Sequence, residues 1–480
     1  MTSSSSPSLS SQYLIPLILL ALYIRICISF APHSGQSKPP MFGDYEAQRH
    51  WQEITVNLPI TDWYRNTTDN DLLYWGLDYP PLTALHSKVM GHVAETVSGS
   101  WVQLHGSRGE ESYEHKIFMR VTVLVSELVH LTPLFLLLSP STCPLSSLFL
   151  LAITPSQPLI DHGHFQYNSI SLGLTLLAVL ALKHGWVCTG SAMFSLALNY
   201  KQMSLYHALP FFFFILGPRY NSWSGVRELV KVGVTVVLTF ALCWLPFVDT
   251  AGDVLTRMFP FNRGLFEDKV ANFWCSISVV VKVREIFSRI TLVRAALFFT
   301  LVSVLPSQLL LFRESTPHKF ILALTNSALG FFLFSFHVHE KTILIPLATI
   351  VLLYNDKRTN GQTNGQNNEL TVSLPVVWFT VIATFSMWPL LLKDGLYMMY
   401  IAGMGLYLTT VYILFKQQLY STSVLLFMLS VLGCVILHLL EIYVEPTERY
   451  PHIYPTLNSL YSAGHFALFF CYFNYRQIVD

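Results

Sequence analysis

The run SQYLIPLILLALYIRICISF, residues 11–30, decides which solvent this chain folds in. As a helix, a run of about 20 mostly apolar residues crosses the hydrocarbon core of a bilayer, which is about 30 Å thick. No basic segment precedes the run, and Arg25 lies near its far end. These features favour an uncleaved signal-anchor helix over a cleaved signal peptide.

Apolar runs of similar or slightly shorter length recur to the C-terminus. Of the 480 residues, 52% are hydrophobic and only 12% are charged, whereas soluble domains carry about 25% charged residues. The net charge is +1 and there is no basic patch, so nothing indicates nucleic-acid binding. The sequence therefore predicts an all-α polytopic membrane protein with about fourteen transmembrane helices.

Lys and Arg in short loops mark the cytoplasmic side of a membrane protein. Such basic segments occur at residues 183–186, 217–231, 312–319, 354–370 and 415–418 and in the C-terminal tail. A single alternation of spans places all of them on one side, provided that residues 272–290 do not cross the membrane. Both termini are then cytoplasmic, and the long loop 31–116 lies on the exoplasmic side.

Composition also suggests how the chain is organised. Residues 1–354 form a predicted N-terminal transmembrane module that includes the loop 31–116. Residues 355–370 are rich in Asn, Gly and Gln, which is typical of a flexible linker and here a cytoplasmic one. Residues 371–480 form a predicted C-terminal set of transmembrane helices.

Under this topology the polar clusters gather on the exoplasmic side, whereas the cytoplasmic loops are short and basic. A transporter would place ionisable residues near the middle of its helices, along a path through the bilayer. The observed distribution favours an enzyme that acts at the membrane surface on a lipid-linked substrate. A polytopic transporter of lipid-linked oligosaccharides or small molecules is the alternative from a different class.

The first cluster, FGDYEAQRHW at residues 42–51, concentrates Asp44, Glu46, Arg49 and His50. Acids followed by a base are also what the dipole of a surface helix favours at its start. The pattern alone does not separate substrate contacts from helix-start electrostatics. Asp78 in the later LDYPP is open to the same two interpretations, as a cap or as a substrate contact.

Two further clusters carry histidine. DHGHFQYNS, residues 161–169, places His162 and His164 beside an acid, but nothing nearby completes a set of metal ligands. Hydrogen bonding to a polyhydroxylated or phosphorylated ligand at a helix start is the favoured interpretation. FHVHEK, residues 336–341, offers cationic donors at the depth of a lipid phosphate, or else forms a structural collar at the membrane surface.

Seven motifs in order carry a specific resemblance, and they extend from about residue 39 to the last helix. They are FGDYEAQRHWQEIT, YWGLDYPPLTALHS, SRGEESYEHKIFMR, LIDHGHFQYNSISLGL, NYKQMSLYHALPFFFFILG, FPFNRGLFEDKVANFWC and FSFHVHEKTILIPL. Together they resemble the glucosyltransferases of the endoplasmic reticulum that use dolichyl phosphate glucose to extend the lipid-linked precursor of N-glycosylation. LDYPP followed by LTALHS favours the members that add the first glucose, in α-1,3 linkage, over the sister enzymes that add the second.

The resemblance implies a GT-C fold in the endoplasmic reticulum membrane, with luminal helices in the first long loop and the active site at the luminal surface. It also implies an inverting reaction that needs no metal or other cofactor. Asp44 matches the catalytic base. Its implied partners are dolichyl phosphate glucose, the lipid-linked oligosaccharide and the bilayer.

The remaining candidate residues divide into two sets. Those expected to contact the sugars are Glu46, Arg49, His50, Trp75, Asp78, Tyr79, Asp161, His162, His164, Gln166 and Tyr167. Those expected to hold the donor phosphate are Lys201, Arg263, His337, His339 and Lys341.

Overall fold

The computed structural model describes residues 13–138, 143–259, 269–354 and 372–480. Within these ranges the regular structure is helical, without strands, so the predicted all-α fold is confirmed. The predicted linker 355–370 lies outside the described residues, and the division of the chain on either side of it stays a prediction.

In the first half of the chain, the described residues form ten α-helices of more than one turn, with short 3-10 and π segments between them. They are α1 (Leu14–Ser29), α2 (Asp44–Asn57), α3 (Pro81–Val97), α4 (Tyr113–Leu137), α5 (Leu145–Ala152), α6 (Asn168–Lys183), α7 (Val187–Tyr200), α8 (Ala208–Leu216), α9 (Trp223–Trp244) and α10 (Ala251–Met258). A one-turn segment at Ser156–Pro158 and a π-helical segment at Leu159–Phe165 connect α5 to α6.

The second half contains nine more. They are α11 (Phe273–Val280), α12 (Arg289–Arg313), α13 (Pro317–Phe334), α14 (Leu344–Ile350), α15 (Leu374–Ser386), α16 (Trp388–Lys393), α17 (Tyr397–Phe415), α18 (Thr422–Tyr443) and α19 (Ile453–Val479). Within the predicted non-crossing stretch 272–290, α11 and the single turn Val283–Ile286 are each too short to span a bilayer of about 30 Å.

Five helical stretches of the described chain are long and apolar enough to cross a membrane. They are Tyr113–Leu137, Trp223–Met258, Arg289–Arg313, Tyr397–Gln418 and Thr422–Tyr443. Shorter apolar helices occur at Leu14–Ser29, Asn168–Lys183, Gln202–Leu216 and Leu374–Ser386. The chain is thus a polytopic membrane protein, and the count of about fourteen spans stays a prediction.

The two ends of the helical bundle differ in chemistry. At one end, segments predicted to be cytoplasmic meet: His318 Nε2 lies 3.1 Å from a carboxylate oxygen of Asp480, and Lys183 Nζ donates to the carbonyl of Leu137. The helices α6 and α13 begin or end there. At their opposite ends lie the polar clusters DHGHFQYNS and FHVHEK.

The loop between α1 and α4 folds over that second end. Its two helices, α2 and α3, pack closely because Gly91 has no side chain: a Cβ there would lie 2.6 Å from a methyl group of Val56. α3 begins with Pro81 after Pro80, as the double proline predicts. Trp63 is fully buried in this loop, and its ring lies 5.8 Å from that of Phe247 in the segment between α9 and α10.

Candidate active site

Asp44 is the first residue of α2, where the helix dipole favours a negative charge. The preceding Gly43 has a φ of 111°, and a Cβ on it would clash with Ser34. Ser34 fixes the entry to the helix, because its hydroxyl accepts the backbone N–H of Asp44 at 3.0 Å. The N–H of Ser34 in turn donates to the carbonyl of His164 at 3.0 Å, so α2 begins against the π segment.

Three side chains converge on one oxygen of Asp44. Gln166 Nε2 and Lys341 Nζ each lie 2.6 Å from Oδ2, and His164 Nε2 lies 3.0 Å from it. Among the described residues, all side-chain hydrogen bonds to this carboxylate end on Oδ2. The side chain is 24% exposed, so Oδ1 is the carboxylate oxygen that the described side chains leave open.

The electrostatic surroundings keep Asp44 ionised. Burial by itself would raise its pKa, but the positive charge of Lys341 and the nearby His164 more than offset that effect. The pKa of Asp44 is therefore held well below its usual value. A carboxylate in this state stays ionised across the physiological pH range, and it is held in one orientation.

His164 connects Asp44 to the C-terminal part of the chain. Its Nδ1 lies 2.5 Å from Oδ2 of Asp394, and its Nε2 lies 3.1 Å from Lys341 Nζ. Both His164 and Asp394 are buried. Asp394 is not among the residues predicted from sequence, although its position in a short turn between two apolar runs, on the side predicted for Asp44, was a usable signal.

A second cation lies beside this group. Lys201 Nζ donates to Asn168 Oδ1 at 2.5 Å and lies 3.4 Å from Gln166 Oε1. It also lies 5.1 Å from the centre of the Tyr79 ring. Gln166 thus connects Lys201 to Asp44. Four predicted residues therefore share one polar surface with the carboxylate: His164, Gln166, Lys201 and Lys341.

The other residues predicted to hold phosphate are placed less directly. His339 immediately precedes the 3-10 turn Glu340–Ile343 that carries Lys341, and its N–H donates to the Thr342 hydroxyl. His337 packs against the ring of Phe336, with 4.5 Å between ring centres. Arg263 lies outside the described residues.

Glu46, Arg49 and His50 form part of a separate buried cluster. The guanidinium of Arg49 makes hydrogen bonds of 2.6 and 2.7 Å to Glu46, one of 2.7 Å to Glu53 and one of 2.5 Å to Ser107. His50 Nδ1 lies 3.4 Å from Glu53. Burial raises the pKa of Glu53, but His50 and Arg49 lower it to about 2. These contacts attach α2 to the segment that follows α3.

Asp161 is buried at the end of the bundle that holds the site. Its carboxylate accepts hydrogen bonds from Gln157 at 2.9 Å, from the Asn168 amide at 2.7 Å and from the backbone N–H of Ser169 at 2.7 Å. It therefore stabilises the start of α6, and through Asn168 it is connected to Lys201.

His162 and Tyr167 also face protein groups. His162 Nε2 lies 3.3 Å from Glu127 on α4, and the same carboxylate forms an ion pair of 3.0 Å with Arg25 on α1. The Tyr167 hydroxyl lies 2.6 Å from that of Thr122. Neither side chain hydrogen-bonds to Asp44. Residues 161–167 therefore contribute side chains both to the group around Asp44 and to buried contacts with α4.

Trp75 and Asp78 lie in the loop between α1 and α4, before the start of α3. The carbonyl of Trp75 accepts the indole N–H of Trp51 at 2.8 Å, and its own indole N–H donates to the carbonyl of Met41, three residues before Asp44. The carbonyl of Asp78 accepts from Gln202 at 3.2 Å. The cap at the start of α3 is Pro80, which removes the interpretation of Asp78 as that cap.

Comparison with known proteins places this chain in a family. A model of the ALG6, ALG8 glycosyltransferase family matches residues 20–472. The chain is 43% identical to the dolichyl pyrophosphate Man9GlcNAc2 alpha-1,3-glucosyltransferase of Gallus gallus, over 95% of each chain. It is 42% identical to the protein of the same name from Mus musculus, again over 95% of each.

A third relative is equally similar in sequence. The chain is 42% identical to the probable dolichyl pyrophosphate Man9GlcNAc2 alpha-1,3-glucosyltransferase of Caenorhabditis elegans, over 98% of this chain and 91% of that one. Among solved structures, ArnT from Cupriavidus metallidurans bound to undecaprenyl phosphate aligns over 98% of this chain and 78% of that chain, with a TM-score of 0.44 and 13% identity. On the family match and these sequence identities, the chain belongs to the ALG6, ALG8 glycosyltransferase family.

Proposed function

We propose that this protein is an inverting glucosyltransferase of the endoplasmic reticulum membrane. It moves glucose from dolichyl phosphate glucose to a mannose hydroxyl of the dolichyl-diphosphate-linked Man9GlcNAc2 oligosaccharide, and the new linkage is α-1,3. The family membership and the names of the relatives support the acceptor and the linkage. The observation that carries the mechanism is the Asp44 carboxylate, with Oδ2 bound by three donors and Oδ1 open.

Asp44 is the general base of the proposed reaction. The acceptor hydroxyl donates to Oδ1 and loses its proton as its oxygen attacks the anomeric carbon of glucose. Attack comes from the face opposite the departing phosphate, so the configuration inverts. Because three donors fix Oδ2, the carboxylate does not have to reorient when the acceptor arrives.

The departing group is dolichyl phosphate, a far better leaving group than the sugar alkoxide of a glycosidase. A second carboxylic acid to protonate it is therefore unnecessary, and cations that stabilise the phosphate take its place. Lys341 and Lys201 are the described cations best placed for this role. Arg263, His337 and His339 are proposed to assist them. The reaction so written needs no metal or other cofactor.

Lys341 has a double role in this scheme. Before the donor binds, its ammonium is 2.6 Å from Asp44 and lowers the basicity of that carboxylate. A phosphate that binds beside Lys341 competes for the same ammonium and draws positive charge away from Asp44. The base is then strongest when the donor is in place, which favours transfer over unproductive protonation.

The sugars are proposed to lie along the open side of this group. Gln166 and Tyr79 are adjacent to Asp44 and Lys201, while Trp75 and Asp78 border the same end of the luminal loop. The Trp75 ring offers an apolar face on which a sugar ring can stack. The active site then lies at the luminal membrane surface, at the end of the bundle opposite the basic loops.

Transfer by purified protein in lipid nanodiscs tests this proposal. Synthetic dolichyl phosphate glucose is supplied with either the Man9GlcNAc2 lipid or the same lipid already carrying one glucose. We expect transfer only to the first acceptor. Transfer only to the glucosylated acceptor would instead identify the enzyme that adds the second glucose. Donor-independent translocation of the lipid without transfer would identify a transporter and refute the proposal.

A further inference from the structure

Asp394 lies far along the chain from the other residues of the site. It occupies the turn between α16 and α17, 230 residues after His164. The turn is held against the luminal loop, since Lys38 Nζ donates to the carbonyl of Lys393 at 2.9 Å. The side chain of Asp394 is only 4% exposed, so it does not offer a surface to a large acceptor.

The position of Asp394 determines what His164 can do. Its oxygen at 2.5 Å from Nδ1 requires a proton on that nitrogen, because an acceptor cannot face an unprotonated ring nitrogen. By the same rule, Oδ2 of Asp44 at 3.0 Å requires a proton on Nε2. Between the two carboxylates the ring is therefore an imidazolium that donates to both, and its Nε2 lies 3.1 Å from Lys341 Nζ. The two hydrogen bonds keep the ring directed at Asp44.

We propose that Asp394 is a positioning residue for the transfer reaction, which fixes the orientation of His164 so that Nε2 faces Asp44 and Lys341. The inference rests on the proposed function and adds a residue between two C-terminal helices to the groups that support catalysis. Asp394 acts through His164 and does not itself contact the sugars. Without it, the ring loses one of its two hydrogen bonds to carboxylates and is free to rotate.

The principal test compares Asp394→Asn with wild type in the nanodisc assay. Asn has nearly the same shape but no charge, so the protein is expected to fold. Loss of a carboxylate that orients a functional imidazole costs about 10- to 100-fold. We expect kcat to fall in this range while the KM for dolichyl phosphate glucose stays within about twofold, because Asp394 does not touch the donor.

A double-mutant cycle with His164→Ala separates positioning from general stabilisation. If Asp394 acts through His164, adding Asp394→Asn to His164→Ala lowers kcat by no more than about twofold further. The matched control is Lys393→Ala, which alters the adjacent exposed side chain and is expected to keep the wild-type kcat. Unfolding temperatures of all variants in nanodiscs are measured in parallel.

Two results would overturn the inference while leaving the proposed function intact. One is a wild-type kcat for Asp394→Asn, even if its unfolding temperature is lower. The other is a loss of the same size in the presence and absence of His164. A wild-type protein that transfers no glucose would refute the proposed function itself, and the inference with it.

Discussion

Helix α2 carries two carboxylates, Asp44 and Glu46, that look alike in sequence but lie in different clusters of side chains. Asp44 and Glu46 are two residues apart, which separates them by about 200° around the helix. Asp44 faces the end of the bundle and is held by three residues from two distant parts of the chain. Glu46 faces the loop core, where Arg49 of the same helix and the hydroxyl of Tyr74 donate to it.

The difference lies in what each cluster leaves open. Around Glu46, the Arg49 guanidinium and the carboxylates that accept its hydrogen bonds are buried and pair with one another. Around Asp44, one carboxylate oxygen has three donors and the side chain is still 24% exposed. A cluster whose carboxylates are paired within the protein stabilises structure, whereas a cluster with an open carboxylate oxygen can bind a substrate. Substitutions in each should therefore affect different measurements.

Asp44→Asn should give the largest change in rate. The amide cannot accept a proton from the acceptor, and loss of a general base costs about 10²–10⁴-fold in kcat. The unfolding temperature should stay close to wild type, because Asn can still accept from Gln166. Asp71→Asn, an exposed acid in the same loop, is the matched control. Near-normal transfer by purified Asp44→Asn would contradict the mechanism.

Arg49→Met should give the largest change in stability. It leaves two buried carboxylates without their cation, and breaking a buried ion pair costs about 3–5 kcal/mol. The expected result is a large fall in the free energy of unfolding of the loop between α1 and α4, measured by hydrogen exchange. Arg65→Met breaks an exposed pair with Asp253 and should cost less than about 1 kcal/mol. Equal costs for both variants would refute the contrast.

Lys341→Met should shift the pH dependence of transfer. Since Asp44 must be ionised to act, activity is lost as pH falls through its pKa in the folded protein. Lys341 helps to hold that pKa well below the usual value, so the wild type should keep this step intact down to strongly acidic pH. Without the lysine, the pKa rises and the acid limb of kcat/KM moves to higher pH. An unshifted acid limb would show that Lys341 does not control the base.

Tyr74→Phe should have the smallest effect. The variant loses only the hydroxyl that donates to Glu46 at 2.8 Å, and such a hydrogen bond to a charged group contributes about 1.5–3 kcal/mol. We expect slightly faster hydrogen exchange in α2 and an unchanged kcat. A rate loss comparable to that of Asp44→Asn would mean that the two clusters act as one.

The sequence predicted those features that local pattern and topology determine. Apolar runs predicted a polytopic all-α protein, and the double proline predicted the start of α3. Asp44, His164, Gln166 and Lys341 were candidates because their motifs fall on one side of the membrane. The structure brings these four side chains into contact, although their catalytic roles stay predictions.

Long-range pairing was beyond the sequence. The acid in LLKDGL resembles any polar turn until the chain folds it against His164. Likewise, the acids and bases of FGDYEAQRHW fit both an exposed helix start and a buried cluster. Whether these residues are exposed or buried depends on Ser107 and its neighbours, which cover α2 from more than fifty residues away.

The ion pair between Arg25 and Glu127 has a consequence for how the protein is made. The arginine belongs to α1, whereas its carboxylate partner on α4 is synthesised 102 residues later (127 − 25). At about 5–20 residues per second, this interval lasts about 5–20 s. Throughout that time, α1 carries an unmatched cation that is costly in lipid. Stable insertion of α1 is therefore tied to the arrival of α4, which makes the two helices a single unit of biogenesis.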